Sequence, residues 1–304
     1  MEKWPIGVFT SVDAGLGVKL EIAQELGVPT IQLHAPAKET RTEENAQAFL
    51  ARLEELGITL TAVFGGFEGE SYADIPTVVR TVGLVPPETR AERTQEMKEI
   101  ADFANLLGCD VVALHLGFIP HDTSESLYQE VLQVTREVCD HCKGNGQNLH
   151  LETGQESAEG LLAFIRDVGR DNLFINFDPA NMILYGTGEP IAALRQVGEY
   201  VRSIHCKDGT WAENPGQEWG AETPLGEGDV GMEDMFPCGF YSAYTFIYQK
   251  LMRLKSLYEA DGDPKHESVE DNWIDLLNYV RMSYAVIKFL EVEDNAKEEK
   301  EKEK

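Results

Sequence analysis

Asn148-Leu149-His150-Leu151-Glu152, Leu173-Phe174-Ile175-Asn176-Phe177-Asp178 and Val201-Arg202-Ser203-Ile204-His205 are three hydrophobic runs that each end in a polar tip. Each has the make-up of a buried β-strand, and each tip carries a group able to bind a cation. Carboxylate oxygens suit Mn²⁺ or Mg²⁺, and one imidazole shifts the preference toward Mn, Co, Zn or Fe. A lone carboxylate after a strand is ordinarily a helix cap or a turn residue. Recurrence on three successive strands is what makes Glu152, Asp178 and His205 a candidate divalent site.

Outward from these runs the chain alternates strand and helix. Further β-type runs lie near Ile6 to Thr10, Thr30 to His34, Thr59 to Phe64 and Asp110 to Leu116, with the third of the quoted runs extending to Cys206. Helix-period segments such as Glu43 to Leu56 and Arg90 to Leu107 separate them. Leu26-Gly27-Val28-Pro29, Leu56-Gly57-Ile58 and Leu107-Gly108-Cys109 repeat one device: a helix ends on Leu, Gly takes a left-handed position, and a strand begins. Strict alternation implies a parallel sheet. Seven or eight such units without a composition break favour an α/β fold of the (β/α)₈ TIM-barrel type over an open doubly wound sheet. The G-x-G-x-x-G fingerprint of a dinucleotide-binding first strand is also missing. The expectation is one barrel domain over residues 1–292, followed by a charged, frayed tail over 293–304.

Chemistry in such a barrel gathers at the C-terminal ends of the strands. Because side chains alternate, Asn148, His150 and Glu152 share one face, as do Phe174, Asn176 and Asp178, and Val201, Ser203 and His205. Asn176 and Ser203 are polar choices for a packed interior and fit a role in orienting ligands. His150 reads as a core or supporting residue. His115 and His34 also fall at strand tips, where a histidine either hydrogen-bonds substrate or is a satisfied structural residue. The segment Phe64 to Tyr72, which contains Glu70, is long and rich in glycine and aromatics, as functional lids are.

At 304 residues with 42% hydrophobic content, the chain can build a large core. A formal charge of −27 disfavours nucleic acid, whose binding depends on Lys and Arg replacing condensed counterions. The five cysteines, at irregular spacing, do not suggest a disulfide framework. Cys139-x-x-Cys142, with His141 between, invites a metal or redox reading. No second such pair follows, and the expected outcome is two structural thiols at the end of the helix Leu127 to Cys142. No basic segment followed by an apolar run opens the sequence, and no stretch approaches membrane-spanning length. The expectation is a cytoplasmic protein with no membrane partner, with homo-oligomerisation left open.

His150-Leu151-Glu152-Thr153-Gly154-Gln155-Glu156, Asn176-Phe177-Asp178-Pro179-Ala180-Asn181, His205-Cys206-Lys207-Asp208-Gly209 and Pro224-Leu225-Gly226-Glu227-Gly228-Asp229-Val230 occur in that order. Over roughly residues 5 to 235 the chain resembles the xylose isomerase-like barrel superfamily, in its sugar phosphate isomerase/epimerase branch. The motifs are not specific for a substrate: relatives include ketose 3-epimerases, inosose dehydratases, hydroxypyruvate isomerases and an endonuclease acting at abasic sites. The resemblance implies a divalent metal (Mn, Mg, Co or Zn) held by Glu152, Asp178, His205 and one further glutamate from strand eight. Glu152 would also move the proton next to the carbonyl. His115, Glu156, Lys207 and Asp208 would bind substrate or orient ligands.

One departure stands out. The Pro-Leu-Thr-Ile-Glu-Arg-like eighth strand of such proteins has no counterpart after Val230. In its place comes Phe236 to Gln249, β-like in composition and without a carboxylate. Glu259, before an expected closing helix near Ile274 to Leu290, is a weak candidate for the fourth ligand. The eighth βα unit is therefore expected to be atypical or degraded. The leading expectation is a metal-dependent isomerase or epimerase of a small sugar, sugar phosphate or polyol. The alternatives are an inosose dehydratase-like lyase and a catalytically impaired sugar-binding barrel.

Overall fold

The computed structural model describes residues 5–12, 19–25, 27–232, 251, 254–255 and 273. The chain divides into two compact units, Met1–Gly231 and Met232–Lys304, and every element named below belongs to the first. The aromatic run 236–249, Glu259, the expected closing helix and the charged tail lie outside the described residues. So does the expected irregularity of an eighth βα unit.

Seven strands form one sheet in sequence order: β1 (Gly7–Thr10), β2 (Thr30–His34), β3 (Thr59–Gly65), β4 (Val111–Leu114), β5 (Asn148–Glu152), β6 (Leu173–Phe177) and β7 (Val201–Ile204). All six pairings are parallel. Helices α1 (Leu20–Glu25), α2 (Glu43–Leu56), α3 (Ile75–Thr81), α4 (Pro87–Leu106), α5 (Ser126–Gly144), α6 (Ala158–Val168), α7 (Pro179–Tyr185) and α8 (Pro190–Val197) fill the connections. The glycines of the Leu-Gly device are left-handed, with Gly27, Gly57 and Gly108 at φ 67°, 66° and 63°.

A parallel sheet covered on both faces buries both rows of side chains, which is why these strands read as continuous apolar runs. Val63, Val112, Leu114, Leu149, Leu151, Ile175 and Phe177 are all buried, each contributing about 1.5–3 kcal/mol relative to exposure. The sheet curls so that side chains from its two ends come into contact. The Phe9 ring of β1 lies 5.9 Å from the His205 ring just after β7, and His205 Nε2 is 2.7 Å from Gln32 Oε1 on β2. This curl carries the tips of β5, β6 and β7 to one mouth. After β7 the chain forms an antiparallel hairpin, β8 (Asp208–Thr210) with β9 (Ala221–Thr223).

Candidate functional site

Glu152 ends β5, Asp178 follows β6, and His205 follows β7, its N–H still donating to Phe177 O at 2.9 Å. One ligating atom from each of the three residues lies within 4.8 Å of the others. With bond lengths of about 2.0–2.6 Å, ligands on opposite sides of one cation are about 4–5 Å apart, so this donor set fits a single divalent ion. Among the described residues no other cluster of this kind occurs.

Local structure explains how each group is held. Asp178 is both helix cap and candidate ligand. Its Oδ1 accepts from Asn181 N–H at 2.9 Å, closing the first turn of α7, while Oδ2 faces Lys207 Nζ at 3.7 Å. The Asn181 side chain then ties the strand tips together. Its Nδ2 donates to Glu152 Oε1 (3.0 Å) and Thr153 O (3.2 Å), and its Oδ1 accepts from Lys207 Nζ (2.9 Å). This contact depends on Gly154, at φ 143°, because a Cβ there would lie 2.5 Å from Asn181 Cβ. His205 is held at both nitrogens, with Nδ1 3.2 Å from Glu152 Oε1 and Nε2 against Gln32 Oε1. Both partners are acceptors, so without a cation each ring nitrogen donates; a cation taking the place of the Nδ1 proton would leave Nε2–H held by Gln32.

The buried charges oppose one another. Burial raises the Asp178 carboxyl to about 7, with Lys207 pulling against this and the charge of Glu152 adding to it. Burial also works against ionisation of Glu152, but the neighbouring His115, His205 and Lys207 outweigh it and hold the carboxyl well below its usual range. Burial lowers His115 against the pull of Glu152, so the positive charges that persist beside Glu152 at neutral pH are those of His205 and Lys207, and His115 faces it mainly as a hydrogen-bond donor. Burial lowers His205 as well, yet Glu152 more than compensates and its imidazole is raised. Two close carboxylates carrying this much shared proton and cation demand are a site that gains from a divalent ion.

Beside them lies a cavity of about 320 Å³, lined by Tyr72, His115, Glu152, Asn181, Leu184, Tyr185, Lys207, Trp219 and Glu222. His115 Nε2 is 3.5 Å from Glu152 Oε2, and its Nδ1 faces Gln155 Nε2 at 3.4 Å. His115 and Lys207 thus share the cavity with Glu152. Glu156 and Asp208 do not line it. Glu156 Oε1 accepts from Ile119 N–H at 2.6 Å, and burial raises its carboxyl to about 8. The Asp208 carboxylate is buried and taken up by backbone amides. His150 supports from below, its Nδ1 3.1 Å from Ser203 Oγ, with burial lowering it to about 4. Glu70 anchors its own loop by accepting from Phe67 N–H and Gly83 N–H, which brings the Tyr72 ring to 5.6 Å from the His115 ring.

Comparison with known proteins agrees with this architecture. The family model for xylose isomerase-like TIM barrels matches residues 20–237. The chain belongs to that family. A xylose isomerase domain protein from Planctomyces limnophilus is 54% identical, covering 94% of this chain and 97% of its own, with a TM-score of 0.75. An L-ribulose 3-epimerase is 15% identical, with coverage of 95% and 97% and a TM-score of 0.58. A xylose isomerase-like TIM barrel protein from Mycobacterium smegmatis, solved in complex with magnesium, is 17% identical, with coverage of 88% and 87% and a TM-score of 0.54. No curated protein matches the sequence significantly.

In this xylose isomerase-like barrel, several residues that line the cavity or hold His205 escaped sequence reasoning. Asn181 had a readable signal, since it is the lone polar side chain in the buried helix Pro179-Ala180-Asn181-Met182-Ile183-Leu184-Tyr185 apart from the terminal tyrosine. Gln32 also had one, as a polar residue between Ile31 and Leu33 on the same strand face as His34. Trp219 and Glu222 had none, because only the folded hairpin brings them to the cavity.

Proposed function

We propose that this chain is a divalent-metal-dependent isomerase or epimerase of a small sugar, sugar phosphate or polyol, working by proton abstraction next to a carbonyl. The observation that carries the reading is the convergence of Glu152, Asp178 and His205 on one point beside a polar, monosaccharide-scale cavity. Glu152, Asp178 and His205 would hold the ion. When bound, it supplies a Lewis acid that polarises the substrate carbonyl and stabilises the enediolate. Family membership and the named relatives, one an epimerase and one a magnesium complex, support this reading.

The chain's own residues supply the rest. Glu152 stays ionised at neutral pH and takes the proton from the carbon next to the carbonyl. Asn181 keeps one carboxylate oxygen fixed through its 3.0 Å hydrogen bond, leaving the other, near His115, to receive that proton. Neutral His115 can donate from Nε2 to a substrate oxygen. Return of the proton to the neighbouring carbon, with the hydroxyl proton passing from one enediolate oxygen to the other, completes an isomerisation. Delivery to the opposite face, needed for epimerisation, requires a second acid.

The Lys207 ammonium, 2.9 Å from Asn181 in the same cavity, keeps a second reading open: the enediolate could expel a β-hydroxyl with Lys207 hydrogen-bonded to the leaving oxygen. Product analysis separates the two, since dehydration gives a new carbonyl chromophore. The shared first step is tested by solvent-deuterium exchange into a panel of sugars with added Mn²⁺. Wild-type protein should catalyse exchange and Glu152→Gln should not, while keeping its fold. Full exchange in Glu152→Gln would place the base elsewhere.

A further inference from the structure

The hairpin beside the cavity is a fixed wall. At its root the buried Asp208 carboxylate accepts from the backbone N–H groups of Gly209 (2.9 Å), Gly226 (2.8 Å), Gly228 (3.1 Å) and Val230 (3.2 Å). Its loop is pressed onto the end of α7. Gly220 N–H donates to Leu184 O at 3.0 Å, and a Cβ on Gly186 would lie only 2.1 Å from Gly216 N. Two side chains are thereby presented to the cavity. The Trp219 ring sits 4.6 Å from the Tyr185 ring, and Glu222 Oε2 lies 3.3 Å from Lys207 Nζ.

The charges along this lining decide what fits. Glu152 and Asp178 together balance a divalent ion. What remains among the described lining residues is one ammonium and one carboxylate, Lys207 and Glu222, already paired with each other. A hydroxyl both donates and accepts, so neighbouring hydroxyls can bridge this pair without disturbing its balance. A phosphate dianion only accepts. It would compete with Glu222 for Lys207 and be left against the Glu222 carboxylate, a like-charge contact that rejects it.

We propose that this wall selects an unphosphorylated, uncharged polyhydroxy carbonyl compound of monosaccharide size, with Glu222 and Lys207 reading adjacent hydroxyls and Trp219 packing on the carbon skeleton. The cavity volume, near the lower end of the roughly 300–1,000 Å³ range of ligand pockets, suits such a molecule. The inference rests on the proposed function for the bound divalent ion and for the presence of the carbonyl.

Affinity tests it. Full-length protein in excess Mn²⁺ is titrated calorimetrically with unphosphorylated ketoses and keto-polyols and with their phosphate esters. Wild type should prefer an uncharged compound over its own phosphate ester by at least about tenfold, and Glu222→Gln should weaken that binding about tenfold, as loss of a charged hydrogen bond does. Glu222→Lys should abolish or reverse the preference, and Trp219→Ala should weaken uncharged ligands. Glu222 is a rim residue, so thermal unfolding of its variants should match wild type. Tighter or equal binding of the esters by wild type overturns the proposal, as does a preference unchanged in Glu222→Lys, or binding of neither class. Uncharged ligands that bind without deuterium exchange would sink the proposed reaction and leave this inference standing. Exchange confined to phosphate esters would do the opposite.

Discussion

Two regions of this chain look like metal sites on paper. Cys139, His141 and Cys142 lie within one helical turn, whereas Glu152, Asp178 and His205 come from three separate strands. The compact motif is the inert one. On α5 both thiols are buried and pushed by burial up to about 12, so neither forms a thiolate at neutral pH, and His141 faces outward to Asp102 at 2.7 Å. The dispersed set converges to within 4.8 Å. In a parallel barrel, closeness along the chain says little, because the topology gathers strand tips and not helix turns.

The sharpest way to break this contrast is to remove one dispersed member. Asp178→Ala should lower Mn²⁺ affinity on the order of 100-fold or more, since even outer partners of metal ligands cost 10–100-fold. It should also cost about 1 kcal/mol of stability through the lost α7 cap. Retained affinity, measured calorimetrically, would detach Asp178 from the site. Next in size is Gln32→Leu, which removes the acceptor at His205 Nε2. Its expected cost is about 10–100-fold in Mn²⁺ affinity, with the Nε2–H signal of His205, read by ¹⁵N NMR, losing its hydrogen-bonded shift.

Glu156 sharpens the comparison differently, as a buried carboxylate outside the cluster, in the loop between β5 and α6. Its folded value, about 8, lies above the ordinary 4.5. The native state therefore holds more protons than the unfolded state between those limits, and stability falls as pH rises through that window. Glu156→Gln should flatten this slope, so its unfolding midpoint relative to wild type should improve between pH 5 and pH 8. A gap that is constant across pH would mean that the buried carboxyl titrates normally. The smallest effect belongs to the compact motif. Cys139→Ser should cost about 1–3 kcal/mol by burying a hydroxyl and leave Mn²⁺ affinity unchanged.

The sequence was most readable where one local rule acted alone. The bounds of β2, β5 and α2 follow from hydrophobic period and glycine stops, and they match residue for residue. β4 was expected to run to Leu116 but ends at Leu114, because Leu116 O accepts from Leu84 N–H rather than continuing the ladder. The convergence of Glu152, Asp178 and His205 was legible because strand alternation and barrel topology point the same way. Asp208 illustrates what was not. Its motif suggested substrate or ligand contact, but nothing local reveals that three amides from a later turn join that of Gly209 in enclosing its carboxylate. That cage in turn fixes the hairpin bearing Trp219 and Glu222, so these residues depend on a contact the linear pattern does not encode.

The central claim is that Glu152, Asp178 and His205 hold one divalent ion, and pulsed electron paramagnetic resonance of the Mn²⁺-loaded protein tests it most directly. The account predicts one tightly bound ion per chain whose spectrum shows coupling to a single imidazole nitrogen, with that coupling lost in His205→Gln and kept in Cys139→Ser. A bound ion whose nitrogen coupling survives in His205→Gln would contradict it.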